Sequence, residues 1–419
     1  MTEICIIFST RSKENTKNLL RSIQKVNSFE GVKDYSLSIV ILDKTEEQNI
    51  KRSLSTFDFS IEVISLFNIQ ALEQKRLDLF ETANCSRKID SIQRARVQQQ
   101  IYILENFERF INSVIWQVDD DMLFGQSEYI GNKHIVNYST NYFSKIIELY
   151  HDNKNIDAII SPSTYVPPIP SLLYCRTQLN DFFNKKYLPE NTISHLEYHD
   201  YYNQSKCGKD YSMFLSEEND RTTIVKNIFK GIPVTRVSHE ISQDVDVNFK
   251  DSKLLRGGNF IVFNPYVFEI PHLGYKENDF IPARRSDMIH SNLLSELGFQ
   301  IKDVCCFRLV HNRTFSNYCI ESISTSYYSD MIGALLMAFL YKGEVEFESR
   351  LQFHLNHIKN ILNLLYENVN LNEFRAEIEK LIELDRKINS FDKKNFINEI
   401  EEFKKTKEQL KIRLCRLAL

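Results

Sequence analysis

Glycine is scarce in this chain. Only 11 of the 419 residues are glycine, well below the share of about 7% that is usual for proteins. The sequence contains neither a GxxxxGK[ST] segment nor a GxGxxG segment. Because those segments use glycine to bring the backbone close to a phosphate group, we do not expect a P-loop enzyme or an enzyme with the dinucleotide fingerprint.

Other features that the sequence lacks narrow its function further. No basic region precedes the apolar first residues, so we expect no secretory signal, and the longest apolar run, 331–341, is too short to span a bilayer. The eight cysteines form no CxxC pair, which favours reduced thiols in a cytoplasmic protein. The net charge of -4 argues against a nucleic-acid partner bound by a strongly basic surface.

Short apolar runs alternate with helical patterns over the first 125 residues. These patterns predict strands at 4–10, 37–42, 61–67 and 113–118, and helices at 15–26 and 90–110. The order favours an α/β fold with a mostly parallel, Rossmann-like sheet flanked by helices. Ligands of such sheets bind at the carboxyl ends of the strands, so we expect the functional site at that edge.

Three consecutive carboxylates, Asp119, Asp120 and Asp121 (the acidic triplet), follow the fourth predicted strand. Two ionised carboxylates about 5 Å apart repel each other by about 3 kcal/mol at an effective dielectric constant of about 20. A cation would relieve that repulsion, and oxygen ligands suit Mg²⁺ or Mn²⁺. The triplet therefore predicts a divalent metal site, and an acidic turn after a strand is the plainer alternative.

The strand and its triplet resemble the DxD motif of nucleotide-sugar glycosyltransferases that have the GT-A fold, particularly the family 2-like group. The resemblance covers about residues 1–315. It implies that Asp119 and Asp121 hold Mn²⁺ or Mg²⁺ against the diphosphate of the donor, where the cation stabilises the leaving group. It also implies that His311 is a late metal ligand, as in many enzymes of this fold.

Further residues match the donor and acceptor sites of that family. The residues that the resemblance assigns to the nucleotide donor are Ser9, Thr10, Arg11, Asp43, Arg94, Arg96, Asp119 and Asp120. Those that it assigns to the acceptor and the donor sugar are Gly257, Gly258, Asn259 and Arg285. Asp287, in the first turn of a predicted helix, resembles the late acid that acts as general base in inverting members.

The composition of the sequence changes near residue 325. Beyond this point glycine and proline are rare, and apolar residues recur at helical spacing. We therefore predict a GT-A-like catalytic domain over 1–324, with a nucleotide-binding half at 1–125 and an acceptor-side half at 126–324. A C-terminal all-helical region over 325–419 follows. A packing or oligomerisation role, such as a homodimer interface, is expected for this helical tail.

The combined features predict a metal-dependent glycosyltransferase of the hexosyltransferase type. The resemblance implies a UDP-sugar donor and an inverting transfer to an acceptor hydroxyl, and it does not identify the acceptor. One alternative is a nucleotidyltransferase that makes nucleotide sugars, although the first strand is not followed by the glycine-rich segment of those enzymes. The other is a catalytically inactive assembly protein, against which the intact acidic triplet argues.

Overall fold

The structure of the chain is a computed structural model. The residues that it describes are 1–31, 33–45, 54, 56–85, 91–130, 133–161, 172–184, 210–213, 220–230, 232, 234, 236–239, 250–251, 258–277, 281–282, 284–304, 306–312 and 319–417. Of the predicted site residues, Gly257 lies outside the described residues.

The elements of the described part are numbered along the chain. Its strands are β1 Thr2–Thr10, β2 Tyr35–Asp43, β3 Ser60–Ile64, β4 Val114–Val118, β5 Met122–Leu123, β6 Gln126–Ile130, β7 Lys133–Asn137, β8 Ala158–Ile160, β9 Asp210–Met213, β10 Arg236–His239, β11 Lys250–Asp251, β12 Asn259–Val262, β13 Lys276–Glu277, β14 Ile281–Pro282, β15 Ile301–Asp303 and β16 Val310–His311. Its helices are α1 Lys13–Phe29, α2 Leu66–Lys75, α3 Leu77–Thr82, α4 Ile92–Glu105, α5 Phe107–Phe110, α6 Tyr142–Asp152, α7 Leu172–Asn184, α8 Arg221–Phe229, α9 Ser286–Glu296, α10 Ile320–Lys342, α11 Glu344–Asn368, α12 Arg375–Asn389 and α13 Lys393–Leu417. A 3-10 helix spans Pro265–Glu269.

The chain divides into two compact units. The first unit comprises 1–164, 241–312 and 406–419, and the second comprises 165–240 and 313–405. Within the second unit α7 packs against α11, where the His357 Nε2 group donates a hydrogen bond of 3.0 Å to the Leu172 backbone oxygen. The predicted division at residue 324 stays a prediction. The homodimer interface expected in the helical tail stays a prediction.

An eight-stranded sheet forms the centre of the first unit, in the order β11-β15-β8-β12-β4-β1-β2-β3. The four strands β4, β1, β2 and β3 run parallel to one another. Strand β12 is antiparallel to both β4 and β8, β15 is parallel to β8, and β11 is antiparallel to β15. The sheet is therefore mixed but mostly parallel, and with its flanking helices it confirms the predicted α/β class.

Apolar periodicity explains how α1 and β1 pack. Residues 4–8 of β1 are fully buried, as expected for a strand that is covered on both faces. Helix α1 buries the predicted apolar face of Leu19, Leu20, Ile23 and Val26. Its N-terminus is capped by the Ser12 hydroxyl, which accepts a hydrogen bond of 3.2 Å from the Asn15 backbone N–H. The cap places the start of α1 directly after β1.

A cluster of aromatic rings anchors β4 in the core. Trp116 is fully buried and its ring meets those of Phe124, Phe143 and Phe307 edge to face, an arrangement that stabilises aromatic pairs. Its Nε1–H donates a hydrogen bond of 2.7 Å to Asn259 Oδ1 on β12. These contacts fix β4 and therefore the position of the acidic triplet that follows it.

The helices of the second unit bury the longest apolar run of the sequence. Residues 331–338 of α10 are buried, and the Tyr327 hydroxyl on the same helix lies 2.7 Å from Nδ1 of His354 on α11. Among the described residues, the structure contains no helix with the length and apolar character that a membrane span requires.

Candidate functional site

The acidic triplet lies at the edge of the sheet where the parallel strands end. Asp119 follows β4 directly, and its backbone N–H donates a hydrogen bond of 3.3 Å to the Gly258 backbone oxygen beside β12. Thr10 at the end of β1 and Asp43 at the end of β2 pair in register. The predicted clustering of these strand ends follows from their parallel direction.

Arg96 of α4 joins the triplet to the late acid Asp287. Its Nη2 lies 2.6 Å from Asp119 Oδ1, and its Nε lies 3.2 Å from Asp287 Oδ1. The third nitrogen, Nη1, donates to the Val118 backbone oxygen at 3.2 Å and to Gln99 Oε1 at 3.4 Å. The side chain is 3% exposed, so the guanidinium is a buried cation between two carboxylates.

The electrostatics of this bridge act on both partners. Burial opposes the charged form of Arg96, but Asp119 and Asp287 outweigh it and raise the arginine pKa. The pKa of Asp119 is raised to about 7, chiefly by loss of solvent around the carboxylate; Arg96 acts in the opposite direction. The remaining contributions raise it and come from the carboxylates Asp121, Asp287 and Asp120. The site therefore concentrates more negative charge than Arg96 alone compensates.

Two stacked histidines stand beside Asp287. The rings of His272 and His290 lie 3.8 Å apart at an angle of 18°, and His272 Nδ1 is 3.5 Å from Asp287 Oδ1. Burial lowers the pKa of both histidines well below 6.5, and Arg96 acts in the same direction on His272. Both rings are therefore neutral at pH 7.

Buried glutamines of α4 hold the surroundings of Arg96 in place. Gln93 Nε2 donates a hydrogen bond of 2.8 Å to the His272 backbone oxygen, and the His272 backbone N–H donates to Gln100 Oε1 at 3.1 Å. Gln99 Nε2 donates to the Ser9 hydroxyl at 3.0 Å. One helix therefore connects the segment that carries His272 to the end of β1.

A cleft of about 250 Å³ opens beside the triplet. It is lined by Ser9, Thr10, Arg11, Lys44, Ser91, Ile92, Ala95 and Asp120. The Thr10 hydroxyl donates a hydrogen bond of 2.7 Å to Asp120 Oδ2, which moderates the pKa of Asp120 that burial raises. Four residues that the sequence predicts at the donor site, Ser9, Thr10, Arg11 and Asp120, are thus brought together.

Two other predicted donor residues face protein groups instead. Asp43 Oδ1 accepts hydrogen bonds from the Thr45 backbone N–H at 2.9 Å and from its hydroxyl at 2.6 Å, so it forms a local turn. The Arg94 guanidinium donates two hydrogen bonds of 2.8 Å to the Glu73 carboxylate. The bidentate pair links Arg94 of α4 to Glu73 of α2.

The predicted acceptor residues differ in their surroundings. Gly258 has a φ of +99°, and a Cβ there would lie 2.9 Å from Asp119 Oδ2. Asn259 is fully buried, with its amide bonded to Trp116 and to the Phe307 backbone oxygen. Arg285 adopts a φ of +76° directly before α9, a left-handed conformation that is uncommon for a residue with a side chain.

His311 lies beside the triplet without completing a metal-ligand set. It pairs with Met122 between β16 and β5, and the next residue, Asn312, donates its backbone N–H to the Asp121 backbone oxygen at 2.7 Å. Nowhere in the described part of the chain do three His, Cys, Asp or Glu side chains converge as metal ligands. The predicted set of Asp119, Asp121 and His311 is therefore not assembled as one three-ligand site.

The sequence reasoning missed Lys44, Gln99, His272 and His290. The available signal was the run of three glutamines at 98–100 inside a helix, all of which are buried. Because a buried amide must find partners, such a run indicates that polar segments cover the helix on several sides. No local signal indicates which distant segments those are.

No protein-family model matches the chain, and no curated protein matches it. Several solved structures align. The mannosyltransferase PcManGT from Pyrobaculum calidifontis, in complex with GDP-Man and Mn²⁺, aligns with a TM-score of 0.38 and 9% identity, covering 92% of this chain and 87% of that chain. TarS 1-349 from S. aureus, in complex with UDP-GlcNAc, aligns with a TM-score of 0.32 and 10% identity, covering 93% and 90%.

A third alignment is with mouse xyloside xylosyltransferase 1 in its apo form, with a TM-score of 0.26 and 12% identity. It covers 45% of this chain and 62% of that one, which is less than two thirds of the mouse chain. Two of the three proteins are glycosyltransferases by name, as is the family that the sequence resembles. Because these TM-scores are below 0.5, the function is argued below from the residues of the site.

Proposed function

We propose that this chain is a glycosyltransferase that moves a sugar from a nucleoside-diphosphate donor to an acceptor hydroxyl with the help of a divalent cation. The observation that carries the proposal is the buried Arg96 bridge between Asp119 and Asp287. It joins the acidic triplet, where a donor diphosphate and cation would bind, to a carboxylate that can accept a proton. Asp120 of the triplet lines the cleft at the carboxyl edge of the sheet.

The cleft suits the phosphates of a nucleotide. Arg11 and Lys44 contribute two positive charges to its lining, and the first turn of α4 contributes Ile92 and Ala95. The N-terminus of a helix favours anions because its backbone N–H groups point outward. Hydroxyl groups of Ser9 and Thr10 on the same surface supply the polar contacts that a nucleotide requires.

A divalent cation fits the chemistry of the triplet. Loss of solvent is the main cause of the raised pKa of Asp119, and the neighbouring carboxylates raise it further, so a cation at this place would relieve their mutual repulsion. Asp119 and Asp121 would hold the metal, and oxygen atoms of the donor and water would complete its coordination, as is usual for Mg²⁺. When bound, the metal supplies positive charge to the departing diphosphate.

Asp287 is the residue that takes the acceptor proton in this proposal. Arg96 donates a hydrogen bond to its Oδ1 and thereby holds the carboxyl group in one orientation, as a general base requires. A base that is separate from the donor-binding residues suits attack from the opposite face of the sugar, which inverts the anomeric centre. The family resemblance favours a UDP-hexose donor for the same site.

Titration calorimetry tests the proposal directly. The full chain is titrated with UDP, GDP and CDP in the presence of Mn²⁺, and then again after the metal is removed with EDTA. We expect one nucleotide to bind only with the metal. Asp121→Asn should weaken binding about 10- to 100-fold, the effect that is usual for lost groups of a metal site. Asp152→Asn, at an exposed position of α6, is the matched control and should bind as the wild type does.

Two results would contradict the proposal. One is an absence of nucleotide binding by the wild type, and the other is binding that Asp121→Asn leaves unchanged. Release of pyrophosphate from a nucleoside triphosphate and a sugar phosphate would instead favour a nucleotidyltransferase.

A further inference from the structure

Each of the two carboxylates that contact Arg96 uses one of its two oxygens for the contacts described here. Within the residues that the structure describes, both contacts of the Asp287 carboxylate fall on Oδ1, from Arg96 Nε at 3.2 Å and from His272 Nδ1 at 3.5 Å. The contact of Asp119 with Arg96 also falls on Oδ1, at 2.6 Å. The two side chains remain 20% and 32% exposed. Their Oδ2 atoms are therefore the oxygens left for ligands.

Gly258 keeps the second oxygen of Asp119 accessible. A Cβ at this position would lie 2.9 Å from Asp119 Oδ2 and 3.2 Å from the Met122 Cε atom, closer than unbonded atoms pack. The positive φ of +99° independently favours glycine. A side chain at 258 would therefore cover the one Asp119 oxygen that Arg96 does not occupy.

From this geometry we infer that Arg96 is a positioning residue for both halves of the reaction and not a ligand of the donor diphosphate. It holds Oδ1 of Asp119, which leaves Oδ2 as the oxygen that would bind a cation, and it holds Oδ1 of Asp287, which leaves Oδ2 as the oxygen that would accept the acceptor proton. His272 packs beside only the Asp287 carboxylate, without a hydrogen bond to it, and Gly258 borders only the Asp119 carboxylate. The inference rests on the proposed function and departs from the diphosphate contact that the family resemblance implies for Arg96.

All three nitrogens of Arg96 are already engaged by protein oxygens. Because the Arg96 side chain is only 3% exposed, a diphosphate would reach the guanidinium only by displacing a neighbouring group. Displacement of Asp119 or Asp287 would leave that carboxylate without its arginine partner, which is unfavourable in a buried place. A planar guanidinium can hold two carboxylates at fixed angles, whereas a lysine ammonium is a single point of charge. Arginine is therefore the cation that the bridge requires.

Three substitutions separate the role of Arg96 at Asp119 from its role at Asp287. For each variant, Mn²⁺ affinity is measured by titration of the nucleotide-free chain, and kcat and KM are measured for transfer. His272→Phe should lower kcat about tenfold and leave Mn²⁺ affinity unchanged. Gly258→Ala should lower Mn²⁺ affinity about tenfold and lower kcat at saturating metal by less than it lowers that affinity. Arg96→Lys should lower both, each by about 10- to 100-fold, as is usual for residues that orient a site.

Matched controls distinguish this pattern from simple loss of structure. Arg109→Lys changes another arginine that bridges two carboxylates, Glu62 at 2.8 Å and Glu3 at 3.3 Å, at the opposite edge of the sheet. Gly298→Ala changes another glycine with a φ of +98°, whose Cβ would meet no atom within 4 Å. Both controls should keep wild-type kcat and Mn²⁺ affinity.

Two results would overturn the inference. In the first, the wild type binds Mn²⁺ and nucleotide, but Arg96→Lys changes only the unfolding temperature. The same conclusion follows if all three variants lose Mn²⁺ affinity and kcat to an equal extent. The second result needs no ligand. It is an Arg96 Nε–H nuclear magnetic resonance signal that has the same chemical shift in Asp287→Asn as in the wild type. If the wild type binds neither ligand, the proposed function fails, and the Arg96 signals still decide whether the bridge exists.

Discussion

Two neutral imidazole rings behind Asp287 make the stability of the fold depend on pH. Burial lowers the pKa of both His272 and His290 well below 6.5; for His290, His272 and Arg96 act in the same direction, whereas Asp287 and the Pro271 backbone oppose it. The unfolded chain exposes both rings, so each takes up a proton there as pH falls through about 6.5. At these two positions the unfolded state then binds more protons than the folded state, so the contribution of the two histidines to stability decreases below that pH. Asp119, whose pKa is raised to about 7, acts in the opposite direction.

The expected loss is about 1.4 kcal/mol for each histidine between pH 7.5 and pH 5.5. His290→Phe retains a stacked ring without a titrating group and should lose about half of this pH dependence. Urea unfolding of both proteins at the two pH values measures the difference. His151→Phe, at an exposed position, is the control and should retain the full dependence. Equal pH dependence in His290→Phe and the wild type would contradict a buried neutral pair.

At this scale the sequence predicted the location of the site better than its internal contacts. The acidic triplet after a buried strand and Asp287 in the first turn of a helix are local patterns, and the structure places both where those patterns indicate. The bridge through Arg96 joins positions 191 residues apart. No periodicity relates residues at that separation, because only the folded topology brings them together.

At the scale of elements, a buried ion pair connects α2 to α4. The Arg94 and Glu73 side chains are 15% and 8% exposed, and Gln98 Nε2 donates a further hydrogen bond of 2.6 Å to the Glu73 carboxylate. Removing one partner of such a pair leaves the other charge buried, which is more harmful than removing both.

We therefore expect Glu73→Leu to lower the free energy of unfolding by about 3 kcal/mol. Glu73→Leu combined with Arg94→Met should recover most of that loss, because neither charge then remains buried. Urea unfolding of the two variants and the wild type measures both steps. A double variant that is less stable than Glu73→Leu would show that the pair stabilises the fold beyond the cost of an unpaired charge.

The sequence predicted the central strands and α1 closely because buried strands and amphipathic helices have clear periodicities. Other elements depend on partners that are distant in sequence. The hairpin strand β7, directly before α6 at Tyr142–Asp152, depends on its pairing with β6. Strand β15 spans only Ile301–Asp303, and β16 follows at Val310–His311.

At the scale of the whole molecule, the last residues of the chain belong to the first unit. Arg413 of α13 lies 3.4 Å from the Asp78 carboxylate and 3.5 Å from that of Glu269. The Arg413 side chain is 39% exposed, so these ion pairs contribute little to stability. Leu410 on the same helix is 3% exposed and contributes by its burial.

Leu410→Ala should therefore lower the free energy of unfolding by about 2 to 5 kcal/mol, whereas Arg413→Ala should lower it by less than about 1 kcal/mol. Thermal and urea unfolding of the two variants test the contrast. The opposite order would mean that the end of α13 is held by charge and not by apolar contact. Helical periodicity predicts α13, but its membership of the first unit follows from contacts that periodicity does not encode.

The aromatic cluster around β4 has a practical optical consequence. The chain contains one tryptophan, and Trp116 lies on the strand that leads into the acidic triplet. All indole fluorescence of this protein therefore originates three residues before Asp119, inside a dry aromatic environment. A paramagnetic ion such as Mn²⁺ bound at the triplet would quench that emission, so the intrinsic fluorescence of Trp116 would report whether the site is occupied.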